Sequence, residues 1–160
     1  MSERRRVTAA FYETLAAHLE ALIGSESDWL ANLANAAALL YHELAETNWV
    51  GFYLMQGEEL VLGPFQGKPA CVRIPLGRGV CGTAAQTRQT IVVSDVHRFP
   101  GHIACDVASR SELVMPWISG ESLIGVLDVD SPIPARFCSD DAVGLERIVP
   151  ILNRYAIPRR

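Results

Sequence analysis

Residues 112–130, ELVMPWISGESLIGVLDVD, decide the fold. Two apolar runs, residues 112–118 and 123–130, flank the polar turn sequence Ser119-Gly120-Glu121-Ser122. A short glycine-containing turn between two runs rich in β-branched and aliphatic residues is typical of a β-hairpin. The sequence therefore predicts two neighbouring antiparallel strands, around which the remaining strands are arranged.

Further strands are predicted on the N-terminal side of this hairpin, because short runs of β-branched and aromatic residues alternate there with turn residues. These strands are residues 48–56, 59–65, 71–74 and 90–93. Gly63, Pro64, Gly67 and Pro69 are expected to end the second of them. The segments between the last strands are predicted to be a glycine-rich connection at 75–82, a short helix at 83–88 and a long functional loop at 94–109.

Helices are predicted at both ends of the chain from apolar residues at three- and four-residue steps. The first covers residues 7–23 and ends at Gly24; the second follows an N-cap at Ser27 or Asp28 and runs to about residue 46. One side of the second helix is expected to be apolar, with Trp29, Leu30, Leu33, Ala37, Leu40, Tyr41 and Leu44. A single closing helix is expected to be capped by Ser139 and to carry Val143, Leu145, Ile148 and Ile151 as its apolar residues. The predicted fold class is α+β, with a mostly antiparallel sheet.

Composition favours one domain over residues 1–160, with a core at about 10–155, because 49% of the 160 residues are apolar. The net charge of −4 argues against nucleic-acid binding, and the terminal arginines are read as solvated. No apolar run is long enough for a membrane span, and the N-terminus lacks the apolar centre of a signal peptide. Four cysteines are too few for a secreted disulfide scaffold, so we expect a cytoplasmic protein.

Three cysteines are candidates for redox chemistry. Cys105 lies in GHIACD within the long loop, where a thiolate nucleophile would be presented to solvent, although an inert buried thiol fits the sequence equally well. Cys71 and Cys81 flank glycine-rich backbone that would let either approach a second sulfur, unless they are unrelated. Cys138, far from the others in the sequence, is expected to take no part.

Carboxylates close the predicted hairpin. Asp128 and Asp130 alternate on one strand and so share a face, and Glu112 on the partner strand is expected to join them. Such like charges require a cation or hydrogen-bond donors, unless they form a solvated strand end. Trp49 would provide an aromatic wall for a methyl or thioether group, with core packing as its alternative role.

A zinc site is another explanation, with Cys71, Cys81, Cys105 and either His97 or His102 as ligands. No pair of these cysteines has the C-x₂₋₄-C spacing of structural zinc sites, so no metal is predicted. GRGVCG resembles a phosphate loop only in its glycines and lacks the Lys-Ser/Thr ending, so no nucleotide cofactor is predicted either. His18 and His42 lie within predicted helices and are expected to be surface or packing residues.

Six segments together resemble the free methionine-(R)-sulfoxide reductases, which are enzymes built on a GAF domain. The segments are NWVGFYL (48–54), LVLGPFQGKPACVRIP (60–75), GRGVCGTAA (77–85), DVHRFPGHIACD (95–106), SRSELV (109–114) and IGVLDVDSP (124–132). The resemblance covers residues from about 10 to 150. Met115 and Trp117 stand where the family tends to have smaller or aliphatic residues, and Cys138 matches no family position that we recognise.

The resemblance implies a role for each candidate. Cys105 matches the catalytic cysteine, Cys71 the resolving cysteine and Cys81 a third redox cysteine that also pairs with the catalytic one. Glu112, Asp128 and Asp130 match the carboxylates that hold the substrate, and Trp49 matches the aromatic residue beside its methyl group.

The reaction implied is reduction of free L-methionine-(R)-sulfoxide through a cysteine sulfenic acid and an intramolecular disulfide, which thioredoxin recycles. Glu112 is our candidate for the acid, and the resemblance suggests a homodimer. The alternative is a non-enzymatic GAF module that binds a small ligand and senses redox state through its thiols. Such modules usually adjoin an output domain, so the short C-terminal end of this chain favours the enzyme.

Overall fold

The computed structural model describes residues 8–103 and 106–159, so Cys105 lies outside the described part. The helices of that part are α1 (Ala9–Ile23), α2 (Trp29–Glu43), α3 (Gly79–Thr87), α4 (Ser139–Glu146) and α5 (Val149–Tyr155), with a 3-10 turn at Val96–Arg98. Its strands are β1 (Trp49–Gln56), β2 (Glu59–Gly67), β3 (Arg73–Pro75), β4 (Ile91–Val93), β5 (Ser111–Ser119) and β6 (Ser122–Ser131). None of the described helices is both long and apolar enough to cross a bilayer.

These six strands form one sheet in the order β3-β2-β1-β6-β5-β4, and every described pair of neighbours is antiparallel. The predicted α+β class and the mostly antiparallel sheet are therefore confirmed. The β5–β6 hairpin is confirmed too: Ser119 pairs with Ser122, and Gly120 takes the positive φ of 59° that this tight turn requires. The register places Glu112 opposite Asp130 and Val114 opposite Asp128.

The second helix begins as predicted, because Asp28 accepts a hydrogen bond from a backbone N–H group in the first turn of α2. Helix α1 begins at Ala9, two residues after the predicted start, where Thr8 is the N-cap. The second helix ends at Glu43, earlier than expected. Its predicted apolar side was too wide, since Leu30 and Tyr41 are exposed to solvent while Leu33, Ala37 and Leu40 are buried.

The prediction that Gly63 and Pro64 end the second strand was wrong. The β1–β2 register changes there, with Gly51 opposite Phe65 and Tyr53 opposite Leu62, so that two residues face one. A β-bulge of this kind accepts proline, because the residue at the bulge is not required to donate to the ladder. The strand consequently continues to Gly67, beside the first residue of β1.

The third helix also begins earlier than predicted, at Gly79 rather than residue 83, which places Cys81 in its first turn. Glycine is required at 82, because a Cβ there would collide with the carbonyl oxygen of Pro75. The glycines that suggested an open connection therefore allow a helix to begin close against the preceding strand.

The single closing helix of the prediction is two helices. Cys138, not Ser139, is the N-cap of α4, and its backbone N–H donates to Asp141 Oδ2 at 2.8 Å. Proline in the first turn of α5 lacks the N–H that would continue α4, so the chain breaks between the two helices. Val143, predicted to be apolar and inward, is exposed.

The sheet separates two apolar cores. Helices α1, α2, α4 and α5 cover one face, where Phe52, Met115 and Trp117 are buried. Helix α3 and the loops cover the other face, where Trp49, Tyr53, Val114 and Val126 are buried. Met115 and Trp117 thus pack against the helices and away from the face that carries the carboxylates.

Candidate functional site

A cluster of carboxyl groups lies on the sheet face beneath α3. Asp128 and Asp130 alternate on β6, and the hairpin register brings Glu112 of β5 directly opposite Asp130. Glu112 and Asp128 are 5% and 6% exposed, which is rare for acidic side chains unless they are paired. The structure thus brings together the three carboxylates that the sequence singled out.

Burial raises the pKa of all three groups well above the ordinary carboxyl range, since the charged form loses its hydration. Repulsion adds to this effect: the charge of Asp130 acts on Glu112, that of Glu112 on Asp128, and that of Asp128 on Asp130. Groups coupled this closely hold protons as a set. The cluster therefore releases its protons at a higher pH than exposed carboxyl groups do.

Among the described residues no lysine or arginine forms an ion pair with the cluster, although Arg78 borders the same cavity. The basic side chain within ion-pair distance of the cluster is His102, whose Nε2 lies 3.6 Å from Glu112 Oε2. Burial lowers the pKa of His102, so its imidazole is neutral at pH 7. Asp128 Oδ1 is buried and receives no hydrogen bond from a described donor. A proton or an incoming cation is needed there.

Cys81 lies beside these carboxyl groups. Its Sγ is 3.9 Å from Glu112 Oε1, and the thiol is buried in the first turn of α3. A helix N-terminus favours a thiolate, yet here burial and the charges of Asp128, Glu112 and Asp130 raise the pKa of Cys81 well above its ordinary value. The resting thiol is therefore protonated and a weak nucleophile.

Trp49 forms an aromatic wall of the same pocket. It is the first residue of β1, and its ring stacks on Phe65 at 5.3 Å and on Tyr53 at 5.9 Å between centroids. The indole N–H donates to the carbonyl oxygen of Lys68 at 3.0 Å, so the ring is fixed in orientation. A methyl or thioether group placed against it would meet a rigid apolar surface.

Cys71 belongs to the segment that leads into β3, not to β3 itself as the sequence predicted. Its carbonyl oxygen accepts a hydrogen bond from Tyr53 Oη at 2.9 Å, which ties this segment to β1. The Cys71 side chain is half-buried and packs at the edge of the apolar core on the α3 side of the sheet. It is thus more accessible than Cys81.

The segment that follows Cys105 is attached to Asn48, the residue before β1. Asp106 accepts hydrogen bonds from Asn48 Nδ2 at 3.3 Å and from the Ala108 N–H at 2.8 Å, and Lys68 Nζ lies 3.7 Å from its Oδ1. Asn48 Nδ2 also donates to Ser109 Oγ at 3.2 Å. These contacts bring the residues after Cys105 to the mouth of the pocket, whereas Cys105 itself is not described.

The three carboxylates, Cys81, His102 and Trp49 border one cavity with about 540 Å³ of empty space, part of which opens to solvent. Cys71 is not among the residues that line it, although its neighbour Ala70 is. The lining of this cavity combines the carboxylates, Cys81 and Trp49 with residues that the sequence did not single out: Tyr53, Arg78, Ile103, Asp106 and Ser109. Tyr53 was detectable from the alternation along β1, which puts it on the face of Trp49. Arg78, Asp106 and Ser109 belong to irregular segments, where sequence periodicity gives no signal.

The other candidates named from the sequence do not line this cavity. His97 is exposed in the 3-10 turn, His18 and His42 are exposed on α1 and α2, and Cys138 is at the start of α4. Of the ligand set considered for zinc, Cys81 and His102 border the cavity. The compact donor group among the described residues is a different one, Cys81 with Glu112 and Asp128, whose ligand atoms lie within 4.8 Å of one another.

Comparison with known proteins gives a consistent result. The model of the GAF domain matches residues 28–152. The chain is 53% identical over 144 residues to the free methionine-R-sulfoxide reductase of Escherichia coli, covering 90% of this chain and 87% of that one.

Two solved structures are also similar to this chain. The free methionine-R-sulfoxide reductase of Neisseria meningitidis in complex with its substrate has a TM-score of 0.88 and 48% identity, covering 92% of this chain and 89% of that one. The fRMsr of Staphylococcus aureus in complex with substrate has a TM-score of 0.85 and 51% identity, covering 91% of this chain and 95% of that one.

Proposed function

Because this chain belongs to the free methionine-R-sulfoxide reductases of the GAF-domain fold, we propose that it reduces free L-methionine-(R)-sulfoxide to methionine. The observation that carries the proposal is the pocket in which three buried carboxyl groups, a thiol and a fixed indole meet. A free amino acid sulfoxide offers an ammonium group for the carboxylates and a methyl group for the indole. A residue within a protein chain offers no such ammonium.

Cys105 is the proposed nucleophile. Its thiolate attacks the sulfoxide sulfur, the sulfur–oxygen bond of the substrate breaks, and the oxygen is transferred to Cys105 as a sulfenic acid while methionine leaves. The transfer needs a proton on the oxygen. Glu112 is the proposed donor, because burial and repulsion favour its protonated form and His102 lies beside its other oxygen. Asp128 and Asp130 then face the substrate ammonium.

The sulfenic acid is proposed to condense with a second thiol, giving a disulfide and one water molecule. Cys71 is the better candidate, since it is half-buried, whereas burial and three carboxylates disfavour the thiolate of Cys81. Cys81 is retained as a third redox cysteine that can also form a disulfide with Cys105 but does not replace Cys71 in recycling by thioredoxin. A thioredoxin-type dithiol then reduces the disulfide by exchange, in the reducing cytoplasm. We also propose that the enzyme is a homodimer.

One assay tests this function: methionine released from each epimer of free methionine sulfoxide, with dithiothreitol, with a thioredoxin system and with no reductant. The wild type should release methionine from the R epimer only. Cys105→Ser should release none, because a hydroxyl is a far weaker nucleophile at neutral pH. Cys71→Ser should release about one methionine per chain and then stall with thioredoxin, and Cys138→Ser is the matched control that should behave as wild type. Turnover by Cys105→Ser, or no release from either epimer by wild type, would refute the proposal.

The alternative, a ligand-binding GAF module that senses redox state, predicts a different result in the same assay. Such a module would bind its ligand and change its thiol state without releasing methionine in proportion to time. Stoichiometric binding with no turnover would therefore favour the sensor.

A further inference from the structure

We propose that the reduced pocket is also a binding site for a thiophilic divalent cation such as Zn²⁺, held by Cys81, Glu112 and Asp128. The site follows from the described side chains alone. Its consequence for catalysis rests on the proposed function: a cation held there would exclude the substrate ammonium, so the metal would act as a reversible inhibitor and not as a cofactor.

The donor atoms are already close to one another. One ligand atom each from Cys81, Glu112 and Asp128 lies within 4.8 Å of the other two, and the thiol is 3.9 Å from Glu112 Oε1. In a tetrahedral zinc site the metal bonds are roughly 2.3 Å to sulfur and 2.0–2.2 Å to oxygen. Neighbouring ligand atoms in such a site are somewhat closer to one another than the donor atoms are here. Small shifts of the three side chains would therefore bring their donor atoms within bonding distance of one zinc ion.

A second observation points to a missing cation. Asp128 Oδ1 is buried, faces this cluster and has no donor among the described residues. Glu112 and Asp128 are more than nine-tenths buried, and the basic side chain beside them is the half-buried His102. Carboxyl groups removed from water to this degree hold either a proton or a cation, so a metal bound here would displace the protons of the cluster.

The thiol distinguishes a metal from an ammonium group. An ammonium donates hydrogen bonds to carboxylates and gains little from a sulfur atom, whereas a thiolate is a strong ligand for zinc and its chemical neighbours. The same thiol disfavours Mg²⁺ and Ca²⁺, which select oxygen ligands. The mixed set of one sulfur and two carboxylates therefore selects Zn²⁺, Co²⁺ or Cd²⁺.

His102 is not a member of this compact donor group, and as a fourth ligand it would have to move closer to Cys81 and Asp128. Its Nε2 lies 3.6 Å from Glu112 Oε2, it borders the same cavity, and its neutral form is the one that binds metals. Two carboxylates, one thiolate and an imidazole make a four-coordinate site whose charge a dication largely neutralises. Loss of Asp128 or Cys81 should weaken such a site far more than loss of His102.

Cobalt provides the test, because a thiolate–Co²⁺ bond produces a charge-transfer absorption band in the near ultraviolet. The experiment uses reduced Cys105→Ser protein, which carries out no turnover, so the metal readout does not depend on the proposed reaction. Co²⁺ should give the band at one ion per chain, and Zn²⁺ should abolish it by displacement. A second substitution in the Cys105→Ser protein identifies the sulfur ligand. Cys81→Ser should remove the band, while Cys71→Ser or Cys138→Ser should leave it unchanged.

Asp128→Asn in the same background guards against a folding artefact. It retains the shape of the side chain and the Cys81 thiol, and it should weaken Co²⁺ binding by more than the roughly 10- to 100-fold that loss of an outer-shell partner costs. The proposal is overturned if no band forms, if the band survives Cys81→Ser, or if Asp128→Asn binds Co²⁺ as tightly as its parent.

Substrate competition separates this inference from the proposed function. Wild-type activity should be inhibited by Zn²⁺ in competition with methionine sulfoxide, and methionine sulfoxide should displace Co²⁺ from the Cys105→Ser protein. A Co²⁺ band in a protein whose wild type releases no methionine would uphold the metal site and reject the reductase. Steady methionine release by the wild type with no Co²⁺ band would uphold the reductase and reject the metal site.

Discussion

Glu112 and Asp130 face each other across the hairpin, yet their surroundings give them different tasks. Glu112 lies beside the thiol of Cys81 and the imidazole of His102. It is almost fully buried, and this burial is the main reason why its pKa is raised. Asp130 is more open and lies beside Trp49 in the β1–β6 register. Glu112 is therefore suited to holding a proton for the sulfoxide oxygen, and Asp130 to holding the charge that attracts an ammonium.

Conservative substitutions separate the two tasks. Asp130→Asn preserves shape and removes a charge, so we expect kcat/KM to fall by roughly ten- to a hundredfold, equal to the ~1.5–3 kcal/mol of a charge-assisted hydrogen bond. Glu112→Gln should lower kcat further, since it also loses the transferable proton. Steady-state kinetics of both variants check this. Equal effects on kcat would remove Glu112 from its special role.

The same variants should remain well folded. Each removes one of three mutually repelling acids, so the free energy of unfolding should fall little or even rise. Urea unfolding of wild type and both variants at pH 7 measures this. A large loss of stability would mean that these carboxylates stabilise the hairpin and do not merely serve a ligand.

At the scale of single elements, β1 determines the shape of the pocket. Gly51 lies between Trp49 and Tyr53 on the same face of the strand and pairs with Asp128 on β6. A Cβ at this position would clash with the Cβ of Phe65 and lie 2.6 Å from the ring of Trp49. The missing side chain is what lets the two rings stack beside the carboxylates.

Gly51→Ala should therefore displace the indole without changing any charge. We expect KM for methionine sulfoxide to rise while kcat changes less, together with an overpacking cost of about 1–3 kcal/mol in the free energy of unfolding. Gly57→Ala is the control, because its Cβ meets nothing within 4 Å and it has only the strain of a positive φ. An unchanged KM in Gly51→Ala would show that the wall does not contact substrate.

At the scale of the whole molecule, the sheet separates a structural side from a chemical side. On the structural side, Tyr12 of α1 donates to Asp141 Oδ1 of α4 at 2.7 Å, and Arg136 Nη1 lies 3.5 Å from the same oxygen. The pKa of the tyrosine is raised, chiefly by burial. This contact joins the first helix to the C-terminal helices across 129 residues of sequence.

Tyr12→Phe tests that separation. Removing the hydroxyl leaves a buried carboxylate short of a donor, so the free energy of unfolding should fall by ~1.5–3 kcal/mol. Activity at 25 °C should stay at the wild-type level, because Tyr12 lies in the core on the opposite face of the sheet and does not line the cavity. Thermal unfolding and the methionine-release assay measure the two effects. A loss of kcat without loss of stability would contradict this division.

Local patterns predicted the elements that depend on local chemistry. The β5–β6 hairpin, the N-cap of α2, and the shared face of Asp128 and Asp130 follow from turn residues, a capping oxygen and the two-residue period of a strand. The antiparallel sheet followed from the short connections between strands. These features explain why Glu112 and the two aspartates could be placed together before the fold was known.

The errors arose where distant contacts override local preference. Pro64 was expected to end a strand, but a β-bulge opposite β1 accommodates it. Glycines before residue 83 suggested a loop, although Gly82 allows α3 to pack against Pro75. The roles of Asn48 and Asp106 were missed for the same reason, since the two residues are 58 positions apart. No periodicity in the sequence reports such a pair.

Recognition of a free amino acid by its ammonium group is the central claim, and one comparison tests it most directly. We would measure kcat/KM for free methionine-(R)-sulfoxide and for its N-acetyl derivative, in wild type and in Asp130→Asn. The wild type should strongly prefer the free amino acid, and the substitution should lower kcat/KM for the free compound while changing little for the acetylated one. Equal rates for both compounds in the wild type would contradict the claim and would leave Asp128 and Asp130 without a substrate to bind.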